Sequence, residues 1–267
     1  MKIALTVAGS DSSGGAGIQA DLKTFQAHGV FGMSAVTAVT VQNTQKVYDV
    51  QEIHPRLVHD QIVCLFDDTE IHAVKIGMVS SIELIREVAR ALRAVNPPVV
   101  VLDPVMISKS GYRLLNHDAQ DELVQSLFPL ADVITPNIYE AETLAGDKIR
   151  NVHEMKSAAV KLLRLGAKTV VVKGGHLGEY RATDILYDGT EFKQFQSRRI
   201  DTKNTHGTGC TFSSAIAANL ALGKTFFEAV ALAKTYVTGA IEHSLSIGQG
   251  HGPTHHFFEL YKKAGID

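Results

Sequence analysis

The chain has no tryptophan and only two cysteines among its 267 residues. Cys64 and Cys210 cannot build the bridge framework of a small secreted domain, so the natural reading is a reducing compartment. Long apolar runs are missing as well. Residues 1–4 lead directly into a strand pattern and polar glycines, without a charged and then apolar leader. A cytoplasmic protein is the expectation. Charge of one sign is also lacking: 26 Lys and Arg against 28 Asp and Glu leave a formal net charge of −2. Neither nucleic acid nor an anionic membrane is therefore an expected partner. No tandem repeat or low-complexity linker marks a boundary, and a single domain over residues 1–267 is expected. With 45% hydrophobic residues, that length suffices for a sizeable core.

What is present is organised around residues 202–211, Thr-Lys-Asn-Thr-His-Gly-Thr-Gly-Cys-Thr. The stretch runs into an Ala-, Ile- and Leu-rich segment at 212–222 that reads as a buried helix. Gly207 and Gly209 bracket Thr208, so backbone N–H groups can approach a ligand where a helix start offers unpaired donors and partial positive charge. Cys210 sits at the first turn, where a thiolate is favoured. An anion cradle beside an activatable base points to group transfer onto an oxygen, phosphoryl transfer first. These ten residues read equally as a helix cap with a buried cysteine.

Short apolar runs at 2–8, 34–41, 73–76, 99–102, 132–134 and 168–172 predict strands. They alternate with helical patterns at 18–28, 55–66, 82–95, 118–128, after Asn137, and at 152–165. Such alternation predicts an α/β fold with a mostly parallel sheet covered on both faces. Residues 47–53 form a further strand, 184–196 a hairpin around Asp188-Gly189, and 211–222 and 225–246 two late helices. In parallel sheets ligands gather at the carboxyl ends of strands. Gly9, Gln42, Met78, Asp103, Asn137 and Lys173 all fall there. Asp21 stands out in the first helix, where an ordinary first-turn aspartate is the plain alternative. Residues 107–113, with Lys109, Ser110 and Gly111, have no apolar period and predict a mobile loop. Asn137 and Glu140, three apart at a helix start, suit either the water shell of Mg²⁺ or a capping box; from the pair alone the capping box is the simpler reading.

Several weaker signals are set aside. Residues 15–20 fit the loose dinucleotide pattern G-x-G-x-x-[GA], but the second strand ends in Gln42-Asn43, without an acid for a ribose. Gly223-Lys224-Thr225 imitates the end of a P-loop, yet Ala218 occupies the place of its first glycine. His251, His255 and His256 match no standard zinc spacing. Cys64 reads as a small buried hydrophobe.

Taken in order, Gly9-Ser-Asp-Ser-Ser-Gly-Gly-Ala-Gly-Ile-Gln-Ala-Asp, Val41-Gln-Asn-Thr, Lys75-Ile-Gly-Met, Asp103-Pro-Val-Met, Thr135-Pro-Asn with Glu140, Lys173-Gly-Gly-His, Thr205-His-Gly-Thr-Gly-Cys-Thr and Gly250-His-Gly-Pro span nearly the whole chain. The set resembles the bacterial hydroxymethylpyrimidine/phosphomethylpyrimidine kinases of thiamine biosynthesis, in the ribokinase-like superfamily. The resemblance implies a three-layer α/β fold. It also implies ATP- and Mg²⁺-dependent phosphorylation of 4-amino-5-hydroxymethyl-2-methylpyrimidine and then of its monophosphate. In the superfamily the loop usually reads Gly-Ala-Gly-Asp, with the aspartate as general base; Cys210 stands at that place, as is typical of the pyrimidine kinases. A thiol with an ordinary pKa of about 8.5 needs help from its surroundings to serve as base.

By the same resemblance Gln42 reads the pyrimidine edge, and Gly9, Asp21, Met78 and Val105 line the substrate pocket. Asp103, Asn137 and Glu140 organise magnesium and phosphates. Lys173 and the backbone of Gly207, Thr208 and Gly209 neutralise the transferred group, and Thr205 flanks the nucleotide. A homodimer is the common state of relatives. Two alternatives are a pyridoxal or pyridoxine kinase of the same superfamily and a non-catalytic pyrimidine-binding domain. Ser108 near the mobile loop and the retained Gln42 favour the pyrimidine.

Overall fold

A computed structural model describes residues 1–108, 110–175, 177 and 181–266. Lys109 of the expected loop and His176 of the glycine motif lie outside the described residues. The elements follow as β1 (Ile3–Ser10), α1 (Gly17–Ala27), β2 (Phe31–Gln42), β3 (Val47–Glu52), α2 (Pro55–Asp68), β4 (Ala73–Ile76), α3 (Ile82–Val95) and β5 (Val100–Leu102). Then come α4 (Gln120–Ser126), β6 (Val133–Ile134), α5 (Ile138–Ala145), α6 (Val152–Leu163), β7 (Thr169–Lys173), β8 (Arg181–Tyr187) and β9 (Phe192–Arg198). The chain finishes with α7 (Thr208–Ala221), α8 (Phe226–Glu242) and α9 (Phe258–Ala264).

Among the described residues the strands form one sheet in the order β3-β2-β1-β4-β5-β6-β7-β8-β9. β2, β1, β4, β5, β6 and β7 pair in parallel, while β3, β8 and β9 add antiparallel edges. The side-chain period of two splits each central strand between two cores. Leu5, Val7, Val100, Leu102, Val170 and Val172 join a cluster with Val58, Ile62, Leu84, Ile85 and Leu162 of α2, α3 and α6. Ala4, Ala73, Val101, Val133 and Val171 face Phe25, Phe212, Ile216 and Val230 of α1, α7 and α8. This is the three-layer α/β architecture expected from the alternating runs.

On the second face α7 is buried almost all round, because Ala215, Ala217, Ala218 and Ala221 let it lie close to the sheet and to α8. Its start at Thr208, rather than at the expected 211, places Thr208, Gly209 and Cys210 inside the first turn. The late segments differ more from expectation. The 118–128 helix is a short α4 between two 3₁₀ turns. α8 stops at Glu242, and residues 250–254 instead strap two loops together. There the His251 N–H donates to Thr44 O at 2.8 Å, His206 N–H to Gly252 O at 3.1 Å and Thr254 N–H to His206 O at 3.3 Å. Ile107 and Arg113 form an isolated bridge that closes the loop between them. No helix among the described residues is long and apolar enough to cross a membrane.

Under the α7 terminus lies a fully buried ion pair. Lys75 Nζ donates to both Asp21 oxygens at 2.9 and 2.8 Å, and both side chains are 0% exposed. Thr6 Oγ1 and Ser214 Oγ also donate to Asp21, at 2.6 and 2.7 Å. Lys75→Met leaves the carboxylate buried and unpaired, and is expected to cost about 3–5 kcal/mol of stability in urea unfolding. Adding Asp21→Leu is expected to recover part of that loss. A double variant as unstable as the single one would refute the assignment of the cost to an orphaned charge.

Candidate active site

The sheet order brings the singled-out strand ends into one row. Gln42 ends β2, Gly9 and Ser10 end β1, Gly77-Met78 follows β4, Asp103 follows β5, Asn137 follows β6, and Lys173 ends β7. The α7 terminus faces this row. Gly207 caps it at φ 79, a left-handed conformation, and a Cβ there would lie 1.7 Å from Gly15 O. Only glycine lets the α7 loop rest on the β1–α1 loop in this way. At Gly209 a Cβ would lie 3.4 Å from Asp103 Oδ2 and 3.6 Å from Lys173 Nζ.

The backbone donors differ from the expectation at one position. Thr208 turns inward, its N–H and hydroxyl both directed to Thr205 O at 3.3 and 2.8 Å. Among the described residues the Gly209 and Cys210 N–H groups have no acceptor. The Gly207 N–H has no acceptor among them either, so of the expected donors at Gly207, Thr208 and Gly209 only that of Thr208 is taken. Thr205 contributes its carbonyl to this turn.

Opposite the cradle, Lys173 Nζ donates to Asp103 Oδ1 at 2.8 Å, and Thr135 Oγ1 to the same oxygen at 3.1 Å. Ser213 Oγ lies 3.4 Å from Asp103 Oδ2. Burial alone would weaken the Lys173 charge, but Asp103 and Glu140 outweigh it and hold the ammonium above its ordinary pKa. Glu140 responds in the other direction. Burial, reinforced by Asp103 and opposed by Lys173, pushes it up to about 7. Its Oε2 accepts the Asn137 N–H at 2.8 Å, while Asn137 Oδ1 accepts the Glu140 N–H at 3.0 Å. The pair is a capping box, so the side-chain oxygen of Asn137 is committed to the helix and is not a free magnesium ligand.

Three further expectations are corrected. Asp21 is not on the pocket wall: it is wholly buried, its oxygens are taken by Lys75, Thr6 and Ser214, and it lies beyond the first turn of α1. The Cys210 thiol is not poised as a thiolate. Burial, with Asp21 and Asp103 nearby, outweighs Lys75 and pushes it up to about 11. Cys64 is exposed rather than packed.

The remaining predicted residues lie together at the other end of the row. Gly9 approaches Met78, whose Sδ would be 3.2 Å from a Cβ at that glycine. Met78 is buried, its carbonyl held by the Thr37 hydroxyl at 2.7 Å, and Val105 is half-buried after Asp103. Gln42 reaches His206, with Nε2 3.3 Å from the ring Nε2. Sequence reasoning assigned no role to His206, Asp11, Lys75 or Ser213. A lone lysine in the apolar run Ala73–Ile76 was the available signal for Lys75, because such a charge is buried only with a partner. A cavity of about 210 Å³ lined by Met106, Ile107, Arg113 and Tyr139 lies beside the 107–113 loop and includes none of these groups. The chemistry belongs to the strand ends.

A row of strand ends meets a helix start whose Gly209 and Cys210 N–H groups have no acceptor among the described residues, beside a lysine and two buried carboxylates, on a ribokinase-like fold. Residues 11–255 match the family model described as phosphomethylpyrimidine kinase, and the chain belongs to that family. It is 49% identical to a hydroxymethylpyrimidine/phosphomethylpyrimidine kinase of Rhizobium meliloti, over 97% of this chain and 98% of that protein. It is 50% identical, over 94% of its length, to the thiamine biosynthesis bifunctional protein ThiED of Geobacter sulfurreducens, but spans only 51% of that longer protein. Among solved structures, phosphomethylpyrimidine kinase from Clostridium difficile superposes with a TM-score of 0.80 at 51% identity, covering 90% of this chain and 100% of that one. An ADP complex of Bacillus subtilis pyridoxal kinase gives a TM-score of 0.90 at 42% identity, covering 96% and 98%.

The two glycines separate fold from function. Gly209→Ala places a methyl at ordinary contact distance and is expected to leave the melting temperature unchanged. It crowds the cradle, and kcat/KM is expected to fall about 100-fold. Gly207→Ala is instead expected to lower stability by about 1–3 kcal/mol, through its positive φ and the Gly15 carbonyl. Thermal melts and steady-state kinetics on both variants check this.

Proposed function

We propose that the chain is a hydroxymethylpyrimidine/phosphomethylpyrimidine kinase. It transfers the γ-phosphoryl group of ATP to 4-amino-5-hydroxymethyl-2-methylpyrimidine and then to the resulting monophosphate. The observation that carries phosphoryl transfer is the start of α7, where the Gly209 and Cys210 N–H groups have no acceptor among the described residues and a Cβ at Gly209 would lie 3.6 Å from Lys173 Nζ. The names of the relatives supply the substrate. In this reading Gln42 meets the pyrimidine edge, since an amide offers one donor face and one acceptor face. Met78 and Val105 cover the ring near Gly9, and Thr205 lies beside the nucleotide.

The donor set suits magnesium held largely through water. Asp103 and Glu140 are two buried carboxylates separated by one lysine, and no group of three or more His, Cys, Asp or Glu side chains among the described residues forms a closed metal cage. Magnesium keeps several waters and binds through one or two carboxylates together with phosphate oxygens. When bound, it would neutralise charge on the phosphates. Lys173 and the Gly209 and Cys210 N–H groups do the same from the protein side. As the alcohol oxygen bonds to phosphorus, the bond from phosphorus to the bridging oxygen of ATP breaks. In a loose transition state the hydroxyl loses its proton late. Cys210, protonated at neutral pH, then acts as a wall and weak hydrogen-bond donor rather than as a preformed base. One domain over residues 1–267, a homodimer and a cytoplasmic setting complete this reading on the family resemblance.

Pyridoxal phosphorylation is the second reading, favoured by the TM-score of 0.90 to a pyridoxal kinase. Mass spectrometry of products from ATP, Mg²⁺ and each alcohol decides between them. The expected result is pyrimidine monophosphate followed by pyrophosphate, with pyridoxal turned over less efficiently. Tight pyrimidine binding without any phosphorylated product would leave a binding domain as the function.

Glu140 makes metal binding depend on pH in a definite direction. Its raised value means that a proton competes with the cation below about pH 7, so apparent Mg²⁺ affinity is expected to rise as pH climbs through 7 and to level off above it. Glu140→Gln is expected to abolish that slope and to lower affinity about tenfold. Calorimetric titration of magnesium at pH 6 and pH 8 checks both.

A further inference from the structure

Three groups converge on one ring nitrogen. His206 Nε2 lies 2.8 Å from Asp11 Oδ2, 3.3 Å from Gln42 Nε2 and 3.4 Å from Ser13 Oγ. Asp11 is buried at the turn between β1 and α1, where it accepts the N–H groups of Ser13, Gly15 and Ala16 at 2.8, 3.1 and 2.8 Å and the Ser13 hydroxyl at 2.7 Å. Donors on that many sides suit an ionised carboxylate. Burial alone would raise its pKa, but the bonds from His206 and Ser13 outweigh this and hold it at about 2.

An ionised acceptor 2.8 Å from Nε2 requires the ring proton on Nε2. The Gln42 NH₂ placed 3.3 Å away would then set a donor against a donor. The other end of the same amide shows the matching conflict. Thr40 Oγ1 has a single proton and directs it to Ser10 O at 3.0 Å, so toward Gln42 Oε1, 3.4 Å away, it presents lone pairs. A half-turn of the amide about its last bond removes both conflicts. It places the carbonyl oxygen as a second, longer acceptor of the His206 N–H already given to Asp11, and the NH₂ group against Thr40. The turn exchanges an oxygen and a nitrogen of nearly equal size, so the hydrogen-bond network alone decides it.

We infer that Asp11 and His206 are a positioning pair that locks Gln42 with its carbonyl oxygen toward the imidazole and its amide nitrogen toward Thr40. The pair thereby sets which part of the amide is left to accept from, and which to donate to, an aminopyrimidine. This rests on the reading that Gln42 meets the substrate ring. Among the described residues no hydrogen bond joins Asp11 or His206 to Asp103, Lys173, Gly209 or Cys210, so their influence passes through Gln42. The arrangement also explains why the two glycine-rich loops are joined at this point: at Gly15 a Cβ would lie 2.3 Å from the His206 ring.

The test uses the full chain in two ways. Long-range ¹H–¹⁵N spectra of the uncomplexed protein are expected to show His206 as the Nε2–H tautomer, and an Nδ1–H tautomer would overturn the proposal. In kinetics, His206→Leu is expected to raise KM for the pyrimidine alcohol about tenfold while leaving KM for ATP and kcat within about twofold. His206→Gln, which retains an N–H close to the place of Nε2, is expected to recover the wild-type KM to within about threefold. In a Gln42→Ala background, His206→Leu is expected to add less than about twofold. Independent, multiplicative losses in the double variant would overturn the coupling. If the wild-type protein phosphorylates no pyrimidine alcohol, the functional reading fails, and the tautomer still decides the geometry around His206.

Discussion

The structure depends on placing one positive and one negative charge where there is no water. Lys75 and Asp21 are both fully buried, and their contacts tie four elements together: α1 through Asp21, β4 through Lys75, β1 through Thr6 and α7 through Ser214. A buried pair of this kind is a poor source of net stability but a strong penalty on any arrangement that separates its members. It therefore acts as a registration device. It ties α7, through Ser214 in its second turn, to the strands that carry Lys75 and Thr6. It also fixes the field at Cys210, whose thiol stays protonated beside two carboxylates and one lysine.

The fold was legible in the sequence wherever the apolar period was clean. Val100, Val101 and Leu102 are all apolar because both faces of β5 are covered, and an uninterrupted run of that kind leaves few alternatives. Late in the chain the period became ambiguous. Residues 225–246 read as one helix, yet it ends at Glu242, and the backbone at 251–254 pairs instead with Thr44, Asn204 and His206. Local propensity does not register such a tertiary demand. α7 began early for a related reason: glycines at 207 and 209 look like loop residues, but the first supplies the left-handed cap and the second avoids crowding Asp103.

The site was legible as a set of positions and less so as a set of roles. Strand ends could be found from periodicity, and sheet order then brought them together. Whether a carboxylate faces a ligand or the protein could not be read in the same way. Asp21, Asn137 and Glu140 all sit where motifs place functional groups, but Asp21 spends its oxygens on a buried lysine, and Asn137 and Glu140 each spend one on a helix start. The lysine that claims Asp21 is 54 positions away, and the aspartate that claims His206 is 195 positions away. Pairs at such separations have no local signature.

The strap made by residues 250–254 carries a consequence for biosynthesis. His206 is gripped on both sides of its backbone by Gly252 and Thr254, and Pro253 bridges to it. The loop that presents the helix start to the phosphate is thus completed by a segment translated roughly fifty codons later than itself. During synthesis the sheet and most of its covering helices emerge first, as units that fold from the amino end do. A growing chain can therefore be largely compact and still unable to turn over nucleotide. Among the last contacts to form along the chain are then the backbone bonds of the strap to His206.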